Sequence, residues 1–219
     1  MVSVVKYRPG QSQENQTMKY EILDRQRREI LPLLKHFKPE FYLAGGTGLA
    51  LQLGHRDSVD FDFFSPKPID TQKLYKKIQT VFIDYKIKKV QEEKDTLTVI
   101  IAGKIKLSFF AYPYKLIGKL VSDNYLRVAS VLDIACMKLS AIVGRATNKD
   151  YLDLYYILHD YSLRRMLTAA AEKLPDLDQN LILKSLVYFK DVTQEKIKFK
   201  TKKVAWREVE EFLQKIVRQ

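Results

Sequence analysis

The sequence predicts an α+β fold: a small mixed β-sheet flanked by helices over about residues 18–128, followed by a helical domain over about 129–219. Three observations predict it. Residues 41–64 read as strand, glycine turn, short helix and second strand. Three more runs with strand-like patterning follow, over 83–90, 97–102 and 105–112. From Ser130 onward, apolar residues recur at helical spacing.

Each element has its own local reason. Residues 1–17 are polar, with a Gly10-Gln-Ser-Gln-Glu-Asn-Gln centre, and read as a loose arm. Ile22, Leu23, Ile30, Leu33 and Leu34 predict a helix over 18–36, with Arg25, Arg27 and Arg28 on its solvated face. Residues 41–44 are apolar and stop at Gly45-Gly46, which permit positive φ and a close approach of another group. Thr47 is expected to cap a helix carrying Leu49, Ala50, Leu51 and Leu53, and Gly54 to end it. Ser65-Pro-Lys-Pro is a turn, and Asp70 or Thr71 caps a helix running to residue 81. Gly103-Lys104 makes a hairpin of the last two strands. Ser130 and Asp133 open a helix over 130–145 that is apolar almost all round and therefore buried. Helices over 162–174, 179–191 and 204–217 complete the chain.

The chemistry centres on residues 45–62. Thr47 and the free N–H groups of a first helical turn suit an anion. Residues 59–64 alternate, placing Asp60 and Asp62 on one face, their Cα atoms about 6–7 Å apart. Carboxylates so close repel unless a cation lies between them, and Mg²⁺ or Mn²⁺ suits oxygen ligands. A phosphate cradle beside a carboxylate pair is what metal-assisted phosphoryl or nucleotidyl transfer needs. The plain structural reading is a strand with aspartates on its wet face. Lys138, between Ile134 and Ile142 on a buried helix, must snorkel or meet an anion such as a triphosphate. Asp150 and Asp153 share the first turn of the next helix, where acids complement the dipole. That reading suffices for Asp153, while Asp150 stays open between the dipole and a functional role. Residues 195–203 alternate lysines with Ile197 and Phe199. The pattern suits an edge strand guarded by lysines, the preferred reading, or a rail for a phosphate backbone.

Gly45-Gly46-Thr47, with Asp60-Phe-Asp62 beginning thirteen positions after Thr47, resembles the signature of the nucleotidyltransferase superfamily. The fuller text, Gly-Gly-Thr-x-Leu-Ala-Leu through Gly-His-Arg-x-Ser-x-Asp-x-Asp-Phe-Phe, is similar to the AbiEii toxin branch. So is the later Asp133-Ile-Ala-Cys-Met-Lys138 with Lys149-Asp150-Tyr-Leu-Asp153. The resemblance implies a Mg²⁺-dependent transferase acting on a nucleoside triphosphate. In it, Gly45, Gly46 and Thr47 hold the triphosphate and Asp60 and Asp62 bind the metal. Arg56 and Ser58 contact phosphate or orient the aspartates. Lys138 neutralises charge on the leaving pyrophosphate, and Asp150 holds Lys138 or helps activate the acceptor. It further implies an RNA acceptor such as tRNA and a cognate antitoxin. A third carboxylate is expected on the 105–112 strand, where this chain has Ser108.

Composition bounds these readings. Apolar residues make up 46% of 219, enough for a sizeable core. No run of 18 apolar residues exists, and the N-terminus lacks an apolar signal region, which points to the cytoplasm and to no membrane partner. The single cysteine, Cys136, excludes a disulfide scaffold and is expected in the core. A formal net charge of +12 favours polyanionic partners, nucleic acid first. Two further readings stay open: a degenerate transferase fold that binds nucleotide or nucleic acid without catalysis, and a basic binding module.

Overall fold

The computed structural model describes residues 17–219, so the expected arm over 1–17 lies outside the described residues but for Thr17. A mixed seven-stranded sheet forms the centre, in the order β3-β4-β5-β2-β1-β7-β6. The strands are β1 (Tyr42–Ala44), β2 (Phe61–Ser65), β3 (Ile87–Glu93), β4 (Thr96–Ile101), β5 (Ile105–Ala111), β6 (Val121–Ser122) and β7 (Arg127–Val128). β2 lies between antiparallel β1 and parallel β5. The α-helices are α1 (Arg25–Glu29), α2 (Leu31–Leu34), α3 (Gly45–Leu53), α4 (Thr71–Val81), α5 (Val131–Gly144), α6 (Asn148–Ile157), α7 (Leu163–Lys173), α8 (Gln179–Val187) and α9 (Trp206–Val217).

Period-two alternation gives the sheet two unlike faces. Phe61, Phe63, Leu107, Phe109, Leu97 and Val99 are buried on one face. There Phe109 meets Phe63 and Phe41 at 5.1 Å and Phe37 at 5.3 Å between ring centroids. Each buried phenyl ring contributes about 1.5–3 kcal/mol. The other face carries Asp62 and Ser108, which stand opposite each other in the β2–β5 register. The core therefore fixes which way Asp62 points, since a one-residue slip would drive it into the phenylalanine cluster.

Several expectations hold. Asp70 caps α4, Ser130 caps α5, and Gly54 ends α3 at φ +68°. The β4–β5 hairpin turns at Ala102 and Gly103, both at positive φ. Cys136 is fully buried. Others need correction. The expected helix over 18–36 is broken into short pieces: a 3-10 turn at Tyr20–Ile22, α1, α2 and a second 3-10 turn at Lys35–Phe37. Pro32 at the start of α2 forces one break, because it offers no N–H to continue α1. Arg27 does not face solvent. It is buried and donates through Nε to the carbonyl of Val59 at 2.5 Å, gripping the loop before β2. Among the described residues no helix is long and apolar enough to cross a membrane.

One buried ion pair ties the helices to the loop after β5. Asp133 of α5 accepts from the N–H groups of Ile117 (2.8 Å) and Gly118 (2.9 Å) and from Lys173 Nζ of α7 (2.9 Å). Both charged side chains are fully buried. Burial would raise the Asp133 pKa. The bonds from Ser130, Ile117, Lys173 and Gly118 outweigh it and hold the carboxyl below the usual range. Its stability contribution is therefore present above the unfolded value of 3.8 and is lost as pH falls through the lower folded value. Replacing Asp133 by Ala leaves Lys173 buried without a counter-charge, and should cost about 3–5 kcal/mol in chemical denaturation.

Candidate active site

The site is built where β1 turns into α3. Ala44, not Thr47, is the N-cap of α3, and no side chain caps that end. The helix starts at Gly45, whose φ of +64° suits glycine alone. A Cβ on Gly45 would lie 3.2 Å from Asp62 Oδ2, so the carboxylate rests directly against the turn. Gly46 answers a different need. A Cβ there would come within 2.7 Å of Arg56 Nη2 and 3.3 Å of Ser58 Oγ.

Thr47 is buried within α3, and its hydroxyl is not free for a ligand. It donates to the backbone carbonyl of Asp60 and shares a 2.8 Å hydrogen bond with the Ser58 hydroxyl. Thr47 and Ser58 thus hold the chain at Asp60. Asp60 itself sits just before β2, not within it, and its side chain is 45% exposed, 3.9 Å from Lys106 Nζ. Asp62 is half-buried. Burial raises its pKa, and the neighbouring Asp60 raises it further; Lys106, Lys138 and Arg145 lower it by less.

Behind this pair lies a buried charge network that sequence spacing had only half indicated. Asp153, expected to be a dipole complement, is its centre. The fully buried carboxylate accepts from His55 Nε2, Arg56 Nε and Arg56 Nη2, each at 2.8 Å. Lys138 Nζ lies 2.6 Å from Asp153 Oδ2 and donates to Asp150 Oδ1 at 2.7 Å. Asp150 also accepts from the Thr147 hydroxyl at 2.9 Å, which places it beside Lys138 as expected. The anion that Lys138 meets is this pair of aspartates. Arg56 is likewise buried and spends its N–H groups on Asp153 and on the Asp57 carbonyl. Both cations hold the site together from behind, and Arg56 packs against Gly46.

Ser108 stands in register beside Asp62 on β5, where a third carboxylate was expected. Among the described residues no group of three His, Cys, Asp or Glu converges to hold a metal ion. Asp62 rests against the glycine turn, and Asp60 precedes it by two residues. Such a donor set fits a hard divalent ion shared with phosphate oxygens rather than one caged by protein alone.

His55 bears on the electrostatics. Its Nε2 faces Asp153, while its buried Nδ1 has no partner. This geometry fits the neutral ring with the proton on Nε2. Burial lowers its pKa and outweighs Asp153, which raises it; the positive charges of Arg56 and Lys138 add to the lowering. A lowered folded value means that the unfolded chain takes up the proton first. Stability should therefore fall as pH drops below the unfolded value of 6.5, by at most about 1.4 kcal/mol per pH unit. Denaturant unfolding of wild type and His55→Gln between about pH 8 and 5 checks this, with the smaller decline expected in the variant. Lys138→Met should cost about 3–5 kcal/mol in the same measurement, because Asp150 and Asp153 would be left sharing Arg56.

Comparisons with known proteins give the family and the fold. Residues 33–217 match the AbiEii nucleotidyl transferase toxin family of type IV toxin–antitoxin systems. An uncharacterized protein of Aquifex aeolicus (strain VF5) is 38% identical over 186 residues, which is 82% of this chain and 87% of that protein. Among solved structures, the fold is similar to that of MenT4, a nucleotidyltransferase toxin of Mycobacterium tuberculosis H37Rv. That match has a TM-score of 0.56 and 16% identity over 87% of this chain and 80% of that one. It is also similar to JHP933 of Helicobacter pylori, with a TM-score of 0.55 and 16% identity over 92% of each chain. The fold likeness, the glycine turn against Asp62 and the family match together lead to one conclusion: the chain belongs to the AbiEii nucleotidyl transferase toxin family.

Proposed function

We propose that the chain is a Mg²⁺- or Mn²⁺-dependent nucleotidyltransferase that moves a nucleotide from a nucleoside triphosphate to an RNA acceptor such as tRNA. The observation that carries this reading is the contact of Asp62 with the positive-φ Gly45 turn at the uncapped start of α3. Phosphate oxygens can accept from the first-turn N–H groups while a cation is shared with Asp60 and Asp62. The bound ion would neutralise charge on the phosphates and polarise the α-phosphorus. In the transfer an acceptor hydroxyl oxygen bonds to the α-phosphorus, the bond to the pyrophosphate oxygen breaks, and the hydroxyl proton leaves to solvent or base.

The remaining residues act by position. Thr47 and Ser58 hold the backbone at Asp60. Asp153 fixes Arg56, and Arg56 packs on Gly46, keeping the turn in place. Asp150 and Asp153 hold Lys138, whose positive charge reaches Asp62 and so bears on the leaving pyrophosphate. Asp150 is buried between Lys138 and Thr147, which favours this holding role over a base for the acceptor. The family's toxin–antitoxin setting implies a cognate antitoxin as partner. Ser108 supports a second reading, in which the fold, without a third carboxylate beside Asp62, binds nucleotide and does not transfer it.

Asp60→Asn and Asp62→Asn test the first reading. Each should lower transfer of labelled nucleotide to total RNA by about a thousandfold or more, through loss of the cation's transition-state stabilisation. Asp62→Asn should leave stability at neutral pH unchanged or raised, since it removes a carboxylate that burial already disfavours. Transfer at wild-type rate in both variants would move the chemistry elsewhere. Wild type that binds Mg²⁺–nucleotide without transfer would favour the second reading.

A further inference from the structure

The lysine-rich segment over 195–203 was expected to guard a sheet edge. The edges of the sheet are β3 and β6, and this segment lies on neither. It is a strap pinned at both ends. Upstream, Asn148 Nδ2 donates to the Glu195 carbonyl at 2.9 Å and Glu195 N–H donates to Asn148 Oδ1 at 3.0 Å. Downstream, Asp57 N–H donates to the Lys198 carbonyl at 2.8 Å and Lys200 N–H to the His55 carbonyl at 3.0 Å. Arg56 and Phe199 form a β-bridge between them. The strap is therefore paired, backbone to backbone, with the loop that delivers Arg56 to the glycine turn.

Its alternation now has a direction. Ile197 and Phe199 are partly buried against the core, and the lysines between and beyond them are exposed. Lys200 pairs with Asp57 at 3.0 Å. Lys196, Lys198, Lys202 and Lys203 form no ion pair among the described residues. Four ammonium groups without an acidic partner, Lys196 and Lys198 on the paired stretch and Lys202 and Lys203 just beyond it, concentrate positive charge on this segment. Protection of a sheet edge does not explain them, because the segment lies on neither edge of the sheet.

We propose that this strap is the rail on which the phosphate backbone of a single-stranded RNA acceptor lies as its end enters the site. The proposal rests on the transferase reading above and adds the surface that holds the acceptor. Lysine contacts of this kind neutralise phosphates without reading bases, so they give salt-dependent affinity and little sequence preference.

The test uses the full chain and a short labelled single-stranded RNA with a free 3′ hydroxyl. The variant carries Lys196→Gln, Lys198→Gln, Lys202→Gln and Lys203→Gln. A control with the same charge change carries Lys73→Gln, Lys76→Gln, Lys86→Gln and Lys88→Gln, all exposed on α4 and around β3. The strap variant should bind RNA about tenfold or more weakly. The slope of log affinity against log salt should shrink by about 0.7 for each lysine in contact. Its KM for nucleoside triphosphate and its melting temperature should stay at wild-type values, and the control should keep most of its RNA affinity. Equal RNA affinity in wild type and strap variant, or equal losses in strap variant and control, would overturn the rail. Wild type that transfers nucleotide to a protein yet binds no RNA at low salt would overturn it too, and would leave the transferase reading standing. If wild type transfers to no acceptor while the strap variant still loses RNA affinity and salt slope, the rail stands and the transfer reading falls.

Discussion

The Asp153 carboxylate is the constraint on which the site depends. It is fully buried and takes hydrogen bonds from His55 and Arg56, with Lys138 beside it as a second counter-charge. Burial alone would push its proton affinity up. The charges of Arg56 and Lys138, with the bonds from His55 and Arg56, hold the carboxyl well below the usual carboxylate range. Ion networks of this kind are poor sources of net stability, because desolvation offsets most of the attraction. Their value is geometric. Here one anion joins α6 to α5 through Lys138 and to the 55–57 loop through Arg56, so three separate segments share one arrangement.

Consequences run outward from there. Arg56 cannot move away from Gly46, because two of its nitrogens are held by Asp153 and a third by its neighbour's carbonyl. Gly46 must therefore stay glycine to give the guanidinium room, just as Gly45 must stay glycine to reach positive φ beside Asp62. The two glycines look alike in the sequence and answer to different physics. Arg27 adds a second grip on the same loop, through the Val59 carbonyl. The loop before β2 has no regular structure of its own, so these side-chain bonds set the position of Asp60.

Much of this was legible from local pattern. Alternation over 59–64 put Asp60 and Asp62 on one face, and the strand register agrees for Asp62. Capping chemistry located α4 and α5, and the turn residues located the β4–β5 hairpin. What escaped was pairing across distance. Asp153 at a helix start looks the same whether it faces water or an arginine 97 positions upstream. The arginines over 25–28 carry equal charge, yet one is buried because a carbonyl 32 positions away accepts from it. Thr47 looked like an N-cap because its type favours that place. The helix begins earlier because Gly45 can take the turn that a threonine cannot. The short strands β6 and β7 are two residues each and carry no periodicity that a window could detect.

The charge balance sharpens the contrast between the back and the front of the site. In the buried network two cations face two carboxylates, and the neutral His55 ring adds no charge. That part is self-sufficient without a ligand. At the front, Lys106 lies 3.9 Å from Asp60, and Ser108 brings no further charge. Burial raises the Asp62 pKa and the neighbouring Asp60 adds to it, while the charges of Lys106, Lys138 and Arg145 offset only part of the rise. A third acid at position 108 would deepen the deficit and tighten a cation without any substrate. With serine there, an ion arriving with its own phosphate oxygens, as proposed above, would suit the carboxylate pair better than a bare ion. On the proposed transferase reading, the serine that withholds a base from the acceptor hydroxyl would also leave the front of the site to be balanced by the nucleotide's own ion.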